Sequence, residues 1–147
     1  MKKFSSLVLV IIALSTFVLL QNCDNKDKET AKERTLRILQ SKNWTVSSVV
    51  VPANSATEDS DWVDFTVSFS ATNMTASDHP IGAQAVWPSG TYEVNEDGNL
   101  ITRGDGVVMT LNPISDSNFT AIFTIENKNL GDSRIASLDG EYRFSMK

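Results

Sequence analysis

The sequence predicts an all-β protein: an antiparallel up-and-down barrel, or a barrel-like sandwich, of about eight short strands preceded by one short helix. Two observations predict this fold class. After residue 44, apolar and polar side chains alternate through most of the chain with the period of two that is typical of half-buried strands. Glycine-containing turn sequences separate the alternating segments, at residues 88–90, 96–98 and 104–106.

The first 22 residues have the organisation of a secretion signal. Lys2 and Lys3 precede an apolar run from residue 7 to residue 20, which is shorter than the roughly 20 residues of a membrane-spanning helix. The run ends in Leu-Gln-Asn-Cys at 20–23, which resembles a lipobox, the motif that precedes a lipidated cysteine. Residues 1–22 are therefore predicted to be a lipoprotein signal peptide, with Cys23 as the lipidation site.

Cys23 is the only cysteine in the chain, so no intrachain disulfide competes for it. Two or more acyl chains on one residue hold a protein on a membrane stably. The predicted membrane contact is therefore the lipid (palmitate and related acyl chains) on Cys23. Residues 23–29 form a charged tether without an apolar side chain after the cysteine, and residues 30–147 form one folded domain.

The charge of the chain excludes some partners. Its formal net charge is −5, and its lysines and arginines are scattered. This distribution argues against nucleic acid as a partner and against electrostatic docking on anionic lipid. Lipidation points to the cell envelope, at the outer membrane, on its periplasmic face or on the cell surface.

The folded domain is predicted to open with a helix. Thr30 and Glu33 match a capping box, and Leu36, Ile38 and Leu39 form an apolar stripe before Ser41. Four clear strands follow in the remainder of the chain, one of them at 44–51. The other three place apolar side chains on one face: Val63, Phe65, Val67 and Phe69; Phe119, Ala121, Phe123 and Ile125; Leu138, Gly140, Tyr142, Phe144 and Met146.

Four shorter strands are predicted at 83–87, 91–95, 100–103 and 107–112. Short strands joined by tight turns form a meander, which must close or fold over to bury its apolar face and protect its edges. An outer-membrane barrel is disfavoured, because the outward positions are threonine, serine and charged residues.

Three stretches resemble the lipocalin-like domain of small Gram-negative lipoproteins. They are the helix-to-strand sequence 39–49 with Trp44, the central hairpins at 85–92 and 100–107, and the closing strand 138–144. The resemblance implies an eight-stranded up-and-down barrel, and lipocalins proper bind small apolar molecules in the barrel mouth. An eight-stranded barrel is only wide enough to be filled by its own side chains or to hold one small ligand. The many inward aromatic residues favour a filled interior.

The aromatic residues are the candidate ligand contacts. Trp44, Trp62, Trp87 and Tyr92 are candidates for ligand-facing or rim positions, and exposed neighbouring rings stack on flat ligands. The alternative is that these rings are packed inside the barrel as structural residues.

No other motif predicts catalysis or metal binding. The only histidine, His79, is interpreted as a loop residue before Pro80, without a nucleophile motif nearby. The acidic group Glu58, Asp59 and Asp61 lacks the spacing of a calcium loop. The tripeptide at 103–105 matches an integrin-type motif but is interpreted as part of a turn, and neither a metal nor a cofactor is predicted.

The sequence thus predicts a lipid-anchored, extracytoplasmic and non-enzymatic β-barrel that acts as a binding or accessory protein of the envelope. Its partner is a small apolar ligand or an envelope protein. Two alternatives remain: a protein-interaction or inhibitor module that works through its loops, and a hydrolase with an unrecognised site. Saturable binding of an apolar dye would distinguish a cavity from an interaction module.

Overall fold

A computed structural model describes residues 28–127 and 137–147 of the chain. The predicted signal peptide, Cys23 and most of the predicted tether lie outside these residues. Helix α1 spans Ala31–Leu39. The strands are β1 Trp44–Val50, β2 Thr66–Phe69, β3 Asn73–Ser77, β4 Gly90–Val94, β5 Leu100–Arg103, β6 Val108–Ile114, β7 Phe119–Ile125 and β8 Gly140–Met146.

Helix α1 begins where the capping box predicts. The Thr30 side chain accepts a hydrogen bond from the backbone N–H of Glu33, and the Thr30 backbone N–H donates to the Glu33 carboxylate. These two bonds satisfy donors that have no partner inside the helix. Ile38 and Leu39 are buried, so the apolar stripe docks the helix on the barrel.

The eight strands form a closed antiparallel barrel in sequence order, with β8 pairing with β1. This confirms the predicted fold class. The β3–β4 ladder is short, pairing only residues 73–74 with 90–91. Beyond this ladder, the Ser89 hydroxyl accepts a hydrogen bond from the Ala76 N–H and donates one to the Ala76 carbonyl. The Ser89 side chain therefore extends the pairing of the two strands, which closes the barrel at this point.

The up-and-down order gives the barrel two different ends. At the helix end, α1 contacts the tight turns between strands: Thr35 bonds to the Gly98 carbonyl, Gln40 to the Ser70 carbonyl and Arg37 to Asp116. At the loop end lie the described residues of the four other connections, 51–65, 78–89, 104–107, and 126–127 with 137–139. Because residues 28–30 lead into α1, the predicted tether joins the barrel at the helix end.

The predicted strand faces are confirmed on β7 and β8. Phe119, Ala121, Phe123 and Ile125 are buried, as are Leu138, Tyr142, Phe144 and Met146. Along β7 and β8 every paired position from 119 to 125 follows one register. A one-residue slip would turn every apolar side chain outwards, so the alternation fixes this register.

Two predicted strand segments are wrong in part. A 3₁₀ turn at Asp59–Trp62 precedes β2, and Val63, which follows it, is exposed rather than inward-facing. Residues 83–87 form no strand, since Ala83–Ala85 is a second 3₁₀ turn. The eighth strand is instead β3, whose exposed asparagine and threonine side chains hide its strand pattern. No helix in the described part of the chain is long and apolar enough to cross a membrane.

Candidate functional site

The interior of the barrel at the loop end is the first place where a ligand site was expected. A cluster of aromatic rings fills this volume. The Phe144 ring centroid lies 5.0 Å from that of Trp62, 5.1 Å from that of Trp87 and 5.4 Å from that of Phe65. Phe123 stacks on Phe144 at 5.8 Å. Ring contacts at these distances are those of a packed core.

The three candidate tryptophans are buried completely. Trp62 and Trp87 belong to the ring cluster at the loop end, and the Trp62 indole N–H donates to the Thr57 hydroxyl at 3.2 Å. Trp44 lies at the helix end, where its indole N–H donates to the Leu39 carbonyl at 2.8 Å. Stacking on a flat ligand needs an exposed ring face, and none of these three rings presents one.

Tyr92 is also buried, at the helix end. Its hydroxyl donates to the Ser70 carbonyl at 2.7 Å and receives a bond from the Gln40 amide at 3.2 Å. Burial raises the pKa of Tyr92, and the bond from Gln40 offsets this only in part. The four candidate aromatic residues are therefore divided between the two ends of the barrel and do not form one site.

The indole Nε1 of Trp87 is buried and has no hydrogen-bond partner in the described structure. An unsatisfied buried donor costs about 1–3 kcal/mol. The Trp87 ring stands nearly perpendicular to Phe123 and Phe144, with interplanar angles of 84° and 87°. Its ring is therefore held by edge-to-face packing and not by a hydrogen bond.

His79 is a loop residue, as predicted, but it also makes contacts that the sequence did not indicate. It lies in the connection between β3 and β4, but it is partly buried. Its Nε2 donates to the Trp87 carbonyl at 2.7 Å, because a carbonyl can only accept. Its ring packs edge-on against Trp62 and Phe65, with centroids 6.3 Å and 5.2 Å away. It therefore joins two connections of the loop end.

Arg103 and Asp105 form an ion pair inside the loop end that sequence reasoning did not predict. The Arg103 residue is only 2 % exposed, and its guanidinium donates through Nε and one terminal nitrogen to the Asp105 carboxylate. The other terminal nitrogen donates to the Val86 carbonyl at 2.7 Å. The guanidinium also lies 5.5 Å from the centre of the Phe123 ring.

This pair explains the tripeptide at 103–105 as a structural element. The Arg103 guanidinium lowers the pKa of Asp105 below its usual range, chiefly by hydrogen bonding and also by charge. A buried arginine cannot be presented to a receptor. The signal for its burial was its parity with Ile101 on β5, since residues two apart in a strand share a face.

The carboxylates of the acidic group at 58–61 accept hydrogen bonds from backbone groups in and near the 3₁₀ turn. The Asp61 carboxylate accepts from the Glu58 N–H at 2.8 Å, and the Asp59 carboxylate accepts from the Val51 N–H at 2.9 Å. Among the described residues, no three histidine, cysteine, aspartate or glutamate side chains come together as a metal site. These carboxylates bond to backbone groups within their own connection.

Surface grooves surround the β1–β2 connection at the loop end. One groove of about 310 Å³ is lined by Ala56, Thr57, Asp61, Pro80 and Ile81. Another of about 300 Å³ runs beside β1 and includes Val63. Both grooves lie outside the aromatic cluster.

Comparison with known proteins identifies no relative. The sequence matches no protein-family model, and a search of curated proteins finds no similar sequence.

Proposed function

We propose that the chain is a lipid-anchored, extracytoplasmic β-barrel module that acts as a non-enzymatic binding or accessory protein of the cell envelope. It works through its outer surface rather than by carrying a ligand inside the barrel. The observation that carries this proposal is the filled interior, where Phe144 contacts the rings of Trp62, Phe65, Trp87, Phe123 and Tyr142.

A filled interior favours an interaction module over a carrier of small apolar molecules. Ligand-binding barrels keep a cavity that buries most of the ligand surface. Here such a ligand would have to displace rings whose removal costs about 3–5 kcal/mol each. The resemblance to lipocalin-like lipoproteins supports the anchored barrel, but its ligand-binding property does not fit this packing.

The contacts of His79 give no support to the hydrolase alternative. A triad would need the imidazole beside a nucleophilic hydroxyl, with a carboxylate on its other nitrogen. The His79 ring instead packs on Trp62 and Phe65, and its Nε2 bonds to a backbone carbonyl.

The position of the helix indicates which end of the barrel an anchor would hold. Residues 28–30 lead into α1, so a lipid on Cys23 would tether the helix end of the barrel. The loop end then faces away from the membrane. A partner in the envelope would meet the connections at 51–65, 78–89 and 104–107 first.

Labelling with palmitate tests the anchor. Cells that express the full chain should incorporate labelled palmitate, and Cys23→Ala should abolish the incorporation, because no other thiol accepts the lipid. Asn22→Ala is the matched control, since it places a small residue before the cysteine and should keep the label. Labelling of Cys23→Ala would refute the anchor.

Dye binding tests the filled interior. The purified protein should show no saturable binding of an apolar dye, because the barrel offers no space for it. Binding at one site per chain that is lost on unfolding in urea would refute the filled barrel and restore the carrier function.

A further inference from the structure

Exposed apolar side chains are concentrated at the loop end. Among the described residues, the large hydrophobic side chains that stand out to solvent are Val50 (55 % exposed), Val63 (67 %), Ile81 (96 %) and Val108 (50 %). Val63 and Ile81 lie in connections of the loop end, Val50 ends β1 there and Val108 begins β6 there. Single exposed hydrophobic residues are ordinary, but all four of these lie towards the same end of the barrel.

The same end is strongly acidic. The described residues of its four connections include eight carboxylates and no lysine or arginine. These carboxylates belong to Glu58, Asp59, Asp61, Asp64, Asp78, Asp105, Glu126 and Asp139. Of these, Asp105 is neutralised by Arg103, and Asp139 takes part in an interaction of its own.

The helix end is balanced by comparison. In α1 and the connections 40–43, 70–72, 95–99 and 115–118, four basic residues stand beside four acidic ones. Several of them pair, as Lys32 does with Glu96 at 2.8 Å and Arg37 with Asp116 at 3.2 Å. Among the described residues, the excess of negative charge therefore lies at the loop end rather than at the helix end.

The apolar and acidic groups meet in one preformed groove. Ile81 and Pro80 form one wall of the 310 Å³ groove, and Ala56 and Asp61 from the β1–β2 connection form the other. The two walls are held together by the contacts of His79 with Trp62 and Phe65. Asp64 and Asp78, both exposed, directly precede Phe65 and His79 in the chain, so the backbone places these two acidic residues next to the same junction.

Charge complementarity selects the occupant of this surface. An anionic membrane is repelled by the carboxylates, although exposed aliphatic side chains alone would suit a lipid surface. A small molecule in one groove would leave most of the exposed apolar and acidic groups uncovered. A polypeptide with lysine or arginine beside an apolar side chain matches both features, since the charges steer the encounter and the apolar contact holds it.

We propose that the loop end is the docking surface for a basic polypeptide segment, whose apolar side chain packs on Ile81 while its lysines or arginines face Asp61, Asp64 and Asp78. This inference rests on the proposed function, because it requires a barrel that acts through its surface. The wall contacts are already formed, so the surface loses little conformational freedom when it binds.

The test uses the full lipidated chain in nanodiscs of neutral phosphatidylcholine, with empty nanodiscs as the blank. Three fluorescent synthetic peptides of equal length serve as probes. The first contains lysine and leucine, the second contains glutamate and leucine, and the third contains lysine and serine. The lysine–leucine peptide should bind saturably, and the other two should bind at least about fivefold more weakly. Its binding should weaken as salt is added, because exposed charges are screened.

Matched variants locate the binding. Ile81→Ser should weaken the binding of the lysine–leucine peptide at least about fivefold, because the interface loses an apolar contact. Asp64→Asn with Asp78→Asn should weaken it about threefold. The control, Glu93→Gln with Asp97→Asn, also removes two exposed carboxylates but in the half of the barrel next to the helix, and it should change the affinity by less than about twofold. Unfolding midpoints should be the same in all variants.

Three results would overturn the inference: no saturable binding of the lysine–leucine peptide, equal binding of the glutamate–leucine peptide, or an equal loss in the Glu93 and Asp97 control. The anchor and the filled interior are tested separately by palmitate and dye. If those two tests succeed and the peptide fails, the docking surface is wrong and the proposed function stands.

Discussion

Replacing Phe123 with alanine removes a ring that four side chains contact from different directions. Trp87 stands edge-on to it at 5.4 Å, Tyr142 and Phe144 stack on it at 5.8 Å, and the Arg103 guanidinium lies over it at 5.5 Å. These neighbours are held by the barrel strands and by the Asp105 ion pair. They cannot collapse fully into the space that the ring leaves.

The expected loss of stability follows from this geometry. Burial of a phenylalanine side chain together with the cavity left behind amounts to about 3–5 kcal/mol. With a urea dependence of about 1–3 kcal/mol per molar, the unfolding midpoint should fall by more than about 1 M. Urea unfolding of the soluble chain from Lys28 onward, followed by tryptophan fluorescence, measures this change.

Thr124→Ala is the matched control, one residue further along β7. Thr124 is exposed and pairs with Glu141 on β8, so its replacement should change the free energy of unfolding by no more than about 0.5 kcal/mol. Similar midpoints for Phe123→Ala and Thr124→Ala would contradict the β7 register. They would also remove the argument that the barrel interior is filled by its own side chains.

Three other substitutions test particular contacts. His79→Ala should destabilise the fold by about 1–2 kcal/mol in the same assay, because it loses a hydrogen bond and two ring contacts, whereas a solvated loop histidine would show no change. Asp105→Asn should cost about 3 kcal/mol at neutral pH, because the buried Arg103 charge loses its partner. The pKa of Asp105 is lowered in the folded state, so its contribution to stability is present above the pKa of the unfolded chain and is lost as pH falls through the folded value. The stabilities of the parent and the variant should therefore converge in acid. Parallel profiles of stability against pH would contradict the pairing. Gly98→Ala should weaken the docking of α1 by at least about 1 kcal/mol in urea unfolding, since Gly98 has φ +68° and a Cβ there would lie 2.5 Å from the Ala31 carbonyl oxygen; an unchanged midpoint would show that the helix end adjusts freely.

Local sequence patterns predicted the elements in which residues close together in the chain show which positions are buried. The capping box of Thr30 and Glu33 marked the start of α1, and the alternation on β7 and β8 marked both their faces and their register. These patterns can be recognised in the sequence because side-chain alternation and helix capping involve residues only a few positions apart. The strand at Asn73–Ser77 was missed since only Met74 among its five residues is fully buried.

The candidate site could be predicted only in part, for a similar reason. The inward aromatic residues were visible from their parity, but whether their rings leave a cavity depends on how strands from opposite sides of the barrel interdigitate. The burial of Arg103 depends on Asp105 and on the Val86 carbonyl from another connection. The partial burial of His79 depends on Trp62, which reaches it from a separate connection.

The sequence by itself determined the class of the fold, the helix with its cap, the parity of the long strands and the motif at Cys23 that predicts lipidation. All of these depend on residues that lie only a few positions apart in the sequence. Tertiary structure alone decided that the barrel closes through β1 and β8, that its interior is occupied, and that exposed apolar and acidic side chains meet at the end opposite α1. These properties arise from contacts between residues far apart in the chain, which no local period encodes.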